Sequence, residues 1–352
     1  YFISIPVSVR WNLGVIMAGF SRLNFRTQSK MLKSPNGDIS NRIDNAQVKA
    51  TVEAVIADIR VRGDKAVREY SEKFDNHGAD SYLLSKAEIE TAIARLPKQV
   101  IDDITFVQSQ VRGFAEHQLA SLKDFEVETH PGVFLGQKNV PIESTGAYIP
   151  GGKYPLLASA HMTIVTAKVA GVKRVVACTP LIKGEMPDAT IAAMYLAGAD
   201  EIYLLGGIQA IAAMAIGTET IAPVAMIAGP GNAFVAEAKR QLFGEVGIDL
   251  FAGPTEILIV ADENADPFIV AVDLLSQAEH GPDSPAILIT TDESLGRQVS
   301  KFVDEILVDM PTKDYAEPAW RDWGAIHVVA NIDDAFALAD EYASEHFIEF
   351  EK

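Results

Sequence analysis

Two pairs of side chains in this 352-residue sequence carry groups able to do chemistry at neutral pH. Gln277 and His280, in the run DLLSQAEHGPD at 273–283, stand three residues apart at the end of an apolar helical pattern, so both project to one side. Gly281 and Pro282 follow as helix stop signals, which leaves the pair at a rim where a metal or substrate can be met. The second pair, Glu345-His346, follows another helical stretch and offers a carboxylate and an imidazole for general acid–base work. Together the pairs point to an enzyme.

The elements that must hold these groups follow from the apolar pattern. From about Ile43 to Leu122 apolar residues recur at three- and four-residue spacing, as in Val52, Val55, Ile56 and Ile59 and again in Ile101, Ile104, Val107 and Val111, which predicts helices. Beyond Gly132 short continuous apolar runs alternate with helical stretches: 174–179, 202–205, 225–228, 257–260, 286–289 and 326–329. Such runs read as strands buried on both faces, hence an α/β fold with parallel sheets covered by helices. Ligands of open α/β sheets lie beyond the carboxyl ends of the strands, and glycine-rich turns stand there. Tyr148-Ile149-Pro150-Gly151-Gly152-Lys153, Gly206-Gly207-Ile208-Gln209 and Gly229-Pro230-Gly231-Asn232 are those turns, Asn232 being a good N-cap. None matches the strict G-x-G-x-x-G pattern; taken singly each is more often plain loop chemistry than a cofactor site.

With 48% hydrophobic residues the chain can bury a large core and form two domains. Its 30 basic and 48 acidic residues give a net charge of −18, which argues against a nucleic-acid partner or an anionic membrane surface. The single cysteine, Cys178, excludes an internal disulfide framework and fits a reducing compartment such as the cytoplasm. Residues 1–37 lack Asp and Glu but carry Arg10, Arg22, Arg26, Lys30 and Lys33. This leader, taken as 1–39, is expected to be disordered; it has the composition of a mitochondrial transit peptide, or else reflects upstream sequence with Met17 or Met31 as a true start. No apolar stretch reaches the length of about 18 residues needed to span a membrane.

The blocks 148–153, GPGNAFVAEAKR at 229–240, AGPTE at 252–256, LLSQAEHGPD at 274–283 and Glu345-His346 resemble the histidinol dehydrogenase family, zinc- and NAD-dependent enzymes, over residues 40–352. The resemblance implies two incomplete Rossmann-like domains with parallel sheets, one inserted in the other, plus N-terminal helices. An inserted NAD-binding domain at 148–255 would then sit within an outer domain of 40–147 plus 256–352, in an intertwined homodimer. It implies oxidation of a primary alcohol through an aldehyde to a carboxylate with two NAD. By resemblance Gln277 and His280 match zinc ligands and substrate contacts, and Thr255 stands at a substrate contact where histidinol-oxidising members usually carry Ser. His346 matches the base that takes the hydroxyl proton, Glu345 the residue that activates water, and Tyr148, Gln209 and Asn232 match NAD contacts. The family's other two zinc ligands, an Asp and a His, lie well downstream of the Glu-His pair and are absent here, as expected of a fragment.

Further blocks, 136–138, 243–249 and 319–323, resemble the branch typified by sulfopropanediol 3-dehydrogenase, which favours a small sulfonated diol over histidinol as substrate. His161 replaces an ordinarily apolar residue, either buried in the core or touching substrate. His77, His117, His130 and His327 read as surface or strand residues. A truncated, inactive NAD-binding relative and metal-assisted hydrolysis are the alternative readings.

Overall fold

The continuous apolar runs become parallel strands, because strands buried on both faces have no solvent side to alternate toward. The structure, a computed structural model, describes residues 26–35, 45–151, 157–249 and 255–350. Arg10 and Arg22 of the leader, Gly152 and Lys153 of the first turn and residues 252–254 of the AGPTE block lie outside the described residues. Two units result, one of Ile43–Phe251 and one of Tyr1–Arg42 with Ala252–Lys352.

A short strand β1 (Lys30–Lys33) belongs to the second unit. The unit Ile43–Phe251 begins with helices α1 (Asn45–Arg62), α2 (Asp64–Asp75), α3 (Lys86–Ala94) and α4 (Lys98–Ser121). An antiparallel hairpin of β2 (Phe125–His130) and β3 (Val133–Gln137) follows, unforeseen from the pattern because every residue in it is exposed. Then come β4 (Ser144–Tyr148), α5 (Leu157–Ala160), a π-helical turn (His161–Val165), α6 (Thr166–Val169) and β5 (Arg174–Thr179). The unit closes with α7 (Asp188–Ala197), β6 (Glu201–Leu204), α8 (Gly207–Ile216), β7 (Met226–Ala228), α9 (Ala233–Leu242) and β8 (Gly247–Ile248). The sheet runs β6-β5-β4-β7-β8, all parallel. Strand order therefore reverses between β4 and β7, the place where such sheets open a crevice at their carboxyl ends.

The N-terminal helices were expected with the outer domain; they pack instead on this sheet. One core joins Val52 and Ile59 of α1 to Ile211 of α8 and Tyr148, Cys178 and Ile227 of the sheet, and another joins Ile89 of α3 and Ile104 of α4 to Ala147, Ala177 and Ile202. Backbone bonds from Leu84 to Ile202 and from Leu204 to Tyr82 tie the α2–α3 connection to β6. Val107, read as core-facing, is exposed, and the buried position one residue on is Gln108. Its amide donates to the Ala193 carbonyl and meets Nδ1 of His161 at 3.2 Å, so His161 is a buried structural imidazole in the π-helical turn.

The second unit comprises β9 (Ile257–Ala261), α10 (Pro267–Ala278), β10 (Ala286–Thr290), α11 (Glu293–Asp309), α12 (Lys313–Trp323), β11 (Ala325–Val328), α13 (Ile332–Tyr342) and β12 (His346–Phe350). Its sheet runs β1-β11-β10-β9-β12, with β1 alone antiparallel. Residues 257, 259, 286, 288 and 326 face α10, α11 and α12, and residues 258, 260, 287 and 289 face α13. That is strict period-two alternation with both faces apolar.

The leader was expected to be disordered, yet Lys30–Lys33 pairs with β11, Met31 standing opposite His327. Side chains secure the pairing. Glu341 accepts from the backbone N–H groups of Arg26 and Thr27, and the fully buried His327 meets the Ser29 hydroxyl at 2.9 Å and the Tyr342 hydroxyl at 2.7 Å. Burial lowers the His327 pKa from 6.5 to about 4. Between those values the unfolded chain binds a proton that the folded chain refuses, so this group lowers stability as pH falls, by up to about 3 kcal/mol. Urea midpoints at pH 7 and pH 4.5 should diverge more in the wild type than in His327→Gln; equal slopes would assign the acid loss to other groups.

Candidate active site

In the unit Ile43–Phe251 the three expected NAD residues all stand at the carboxyl edge of the sheet. Tyr148 ends β4, is 4% exposed, and its hydroxyl accepts from the Gly207 N–H at 3.1 Å. Burial pushes its pKa up to about 12, so it stays a neutral phenol. Gln209 lies in the first turn of α8 and is fully buried; its Nε2 donates to Asp75 Oδ2 at 2.7 Å, while its Oε1 has no protein partner. Asn232 caps α9, its Oδ1 accepting from the N–H groups of Phe234 and Val235 at 3.0 and 3.1 Å. The cap uses the oxygen, which leaves the amide N–H groups for other partners.

The turn before Asn232 is held by groups that sequence reasoning passed over. Gly229 has φ +129°, and a Cβ there would lie 2.1 Å from the Tyr148 carbonyl oxygen, so only glycine lets the two strand ends approach. Its N–H donates to Asp249 at 2.7 Å and its carbonyl accepts from the buried Lys239 at 2.9 Å. Lys239 also pairs with Asp249, which balances the buried ammonium. A buried lysine in an amphipathic helix was the available signal. An orphaned acceptor in Gln209 and a backbone cradle open only to glycine are features that a dinucleotide fits.

In the second unit the expected acid–base residues stand at the opposite end of the strands. Glu345 precedes β12 and His346 begins it, while Thr255 and Glu256 precede β9, all at the amino edge. Parallel pairing sets His346 beside Ile257, which in turn pairs with Ala286. The turn after α10 enters β10 at that same edge, so Gln277 and His280 belong to it too. By alternation His346 shares a face with Ile348 and Phe350, which pack in the core that contains α10. The two pairs thus lie at one edge of this sheet, with His346 on the side that α10 covers. Helix α10 ends at Ala278, earlier than the spacing suggested, and the His280 N–H bonds to the Gln277 carbonyl at 3.1 Å, carrying the turn onward. Gln277 is buried and His280 exposed.

The Glu256 carbonyl accepts from the His346 backbone N–H at 3.2 Å and lies 3.1 Å from Nδ1. A carbonyl can only accept, so the proton sits on Nδ1 and Nε2 is left as the basic nitrogen. The Glu345 carboxylate stands 3.7 Å from the same Nδ1. Glu256, seen in the sequence only as part of a block, is 7% exposed, and burial raises its pKa from 4.5 to about 7, with Glu345 adding to the rise and Ser344 and His346 opposing it. Among the described residues no group of three or more His, Cys, Asp and Glu gathers as a metal site. Gln277 and His280 alone are an incomplete shell for zinc, which takes four donors in structural sites and three plus water in catalytic ones.

Two units, each a largely parallel sheet covered by helices, define an α/β protein. The chain matches the Histidinol dehydrogenase family over residues 39–349. It is 55% identical over 318 residues to a histidinol dehydrogenase homolog of Shouchella clausii, covering 90% of this chain and 75% of that one. It is 45% identical over 311 residues to sulfopropanediol 3-dehydrogenase of Ruegeria pomeroyi, covering 88% and 71%. The crystal structure of histidinol dehydrogenase from Elizabethkingia anophelis superposes with a TM-score of 0.83 at 38% identity, covering 89% and 72%. The chain belongs to the histidinol dehydrogenase family, whose members are NAD-dependent dehydrogenases.

Glu256 generates a prediction. The folded chain keeps its proton to about pH 7 and the unfolded chain releases it near 4.5, so the stabilisation is present below 4.5 and lost as pH rises through 7. Glu256→Gln stays neutral throughout. Its stability relative to wild type should rise between pH 4.5 and 8, on the order of 2 kcal/mol after allowing for solvent screening; a pH-independent difference in thermal unfolding would show that the carboxyl is not held protonated.

Proposed function

We propose that this protein oxidises a primary alcohol through an aldehyde to a carboxylate, consuming two NAD, with a small sulfonated diol as substrate. The observation that carries the reading is His346, whose Nδ1 is committed to the Glu256 carbonyl and whose Nε2 is therefore a base, at the edge that also holds Gln277 and His280. NAD, when bound, supplies the hydride acceptor. Tyr148, Gln209 and Asn232 hold it at the carboxyl edge of their sheet: the phenol fixes the Gly207 backbone, Gln209 presents an acceptor and Asn232 presents donors.

The acid–base work falls to the second unit. His346 Nε2 takes the hydroxyl proton as the alcohol is oxidised, and the nearby Glu345 positions and deprotonates the water that adds to the aldehyde. As the water adds, His346 returns its proton to the aldehyde oxygen and Glu345 passes the water proton to solvent; His346, neutral again, then takes a hydroxyl proton of the hydrate in the second oxidation. Thr255 and Gln277 contribute polar contacts to the substrate. Gln277 and His280 are the protein donors proposed for zinc; they do not complete its shell, and the proton steps above need only the side chains named. The sulfonated substrate is supported by Thr255 and by the likeness to the Ruegeria enzyme; L-histidinol is the alternative within the same chemistry. We assign the protein to the cytoplasm as a homodimer. The exposed hairpin β2-β3, bearing Phe125, Val127, Phe134 and Leu135, supports a second copy as partner, since an isolated two-stranded hairpin is marginal in water. Among the described residues no helix is long and apolar enough to cross a membrane.

The second reading is an inactive relative that binds NAD without turnover. Incubation with zinc, NAD and dihydroxypropanesulfonate should release two NADH per substrate and exceed the rate with histidinol. His346→Asn should lower kcat by about 10² to 10⁴. NADH from histidinol alone would reverse the substrate assignment, and calorimetric NAD binding with no NADH from either alcohol would establish the inactive relative.

A further inference from the structure

Asp75 is a carboxylate in an unexpected place. It is the last residue of α2, where the helix dipole disfavours negative charge, and among the described residues it makes no ion pair. Burial raises its pKa. A stability argument gives no reason for an acid there, yet Gln209 Nε2 donates to its Oδ2 at 2.7 Å. A Cβ built on Gly206 would meet Pro180 at 2.6 Å and Asp75 Oδ2 at 3.2 Å, so the carboxylate stands beside the residue that follows β5.

That location has a meaning in a sheet of this order. The second strand of a doubly wound sheet usually ends near an acid that binds the ribose hydroxyls of NAD and repels the additional phosphate of NADP. Here β5 is that strand, and the chain after it reads Thr179-Pro180-Leu181-Ile182, with no acid. The structure brings one in from α2. The same carboxylate fixes the Gln209 amide: it accepts only, so the amide nitrogen must face it and Oε1 must point elsewhere. Oε1 is buried with no protein partner, an acceptor waiting for a ligand that donates.

We propose that Asp75 is a positioning and specificity residue, which orients Gln209 to accept from a hydroxyl or amide of the dinucleotide and excludes a cofactor phosphorylated on the ribose. The proposal rests on the reading of this edge as the NAD site. A phosphate has no proton to give Oε1 and would face the Asp75 charge, whereas an unmodified ribose hydroxyl satisfies either group.

Calorimetric titration of the whole chain with NAD and with NADP tests it. Wild type should bind NAD at least about tenfold more tightly than NADP. Asp75→Asn, whose amide can offer Gln209 a donor and so release its orientation, should weaken NAD by about fivefold or more and bring the two affinities close to parity. Gln209→Met removes the acceptor but keeps the charge; it should weaken NAD while the preference over NADP persists. A folded Asp75→Asn protein, checked by circular dichroism and thermal unfolding, that retains the wild-type affinity ratio overturns the proposal. Equal affinities in the wild type overturn it as well, even if Asp75→Asn does not fold. Absence of NAD binding in the wild type overturns instead the assignment of this edge to NAD.

Discussion

The parallel pairing of β12 with β9 is the constraint on which the placement of the expected acid–base pair depends. It places His346 opposite Ile257 and therefore within reach of the Glu256 carbonyl, which selects the imidazole tautomer. A shift of one residue in that register would turn His346 to the α13 face and point Phe347 toward α10. The apolar alternation of β12, with the half-buried Ile348 and Phe350 packed against the α10 core, opposes such a slip. Packing thus holds the imidazole in place, with the Glu345 carboxylate 3.7 Å from its Nδ1.

The two sheets are built alike but used at opposite ends. In the unit Ile43–Phe251 the expected ligand residues follow the carboxyl ends of strands, at the point where strand order reverses. In the second unit Thr255, Glu256 and Glu345 precede strands, His346 begins one, and the turn after α10 lies at the same amino edge. The expected NAD contacts thus stand at carboxyl ends and the expected acid–base residues at amino ends. The difference follows from what each edge offers: helix N-termini and glycine turns suit a dinucleotide, while a helix C-terminus beside strand starts brings side chains together.

Buried polar groups define both edges. Lys239 and Asp249 clamp the Gly229 turn from either side, and Gln209 and Asp75 fix an amide that presents a lone acceptor. Farther from the chemistry, Gln108 with His161 and His327 with Ser29 and Tyr342 join elements whose apolar contacts alone would leave orientation loose. Each such group is costly unless satisfied, so each narrows the conformations available to its neighbours.

Much of this was legible in the chain itself. The apolar runs at 174–179, 257–260 and 286–289 became strands nearly to the residue, because burial on both faces leaves no other pattern. The blocks around Gln277, His280, Glu345 and His346 carry the family likeness in sequence alone. The exposed hairpin and β1 escaped notice, since neither carries a continuous buried run. The N-terminal helices were assigned to the wrong unit because an amphipathic face specifies that a helix packs and leaves open which sheet receives it. Residue types and local periodicity determine chemistry and secondary structure, being properties of neighbours in sequence. Only the tertiary structure could decide that Asp75 reaches Gln209 across 134 positions, or that the Glu256 carbonyl meets His346 across 90, because such contacts depend on how the elements pack.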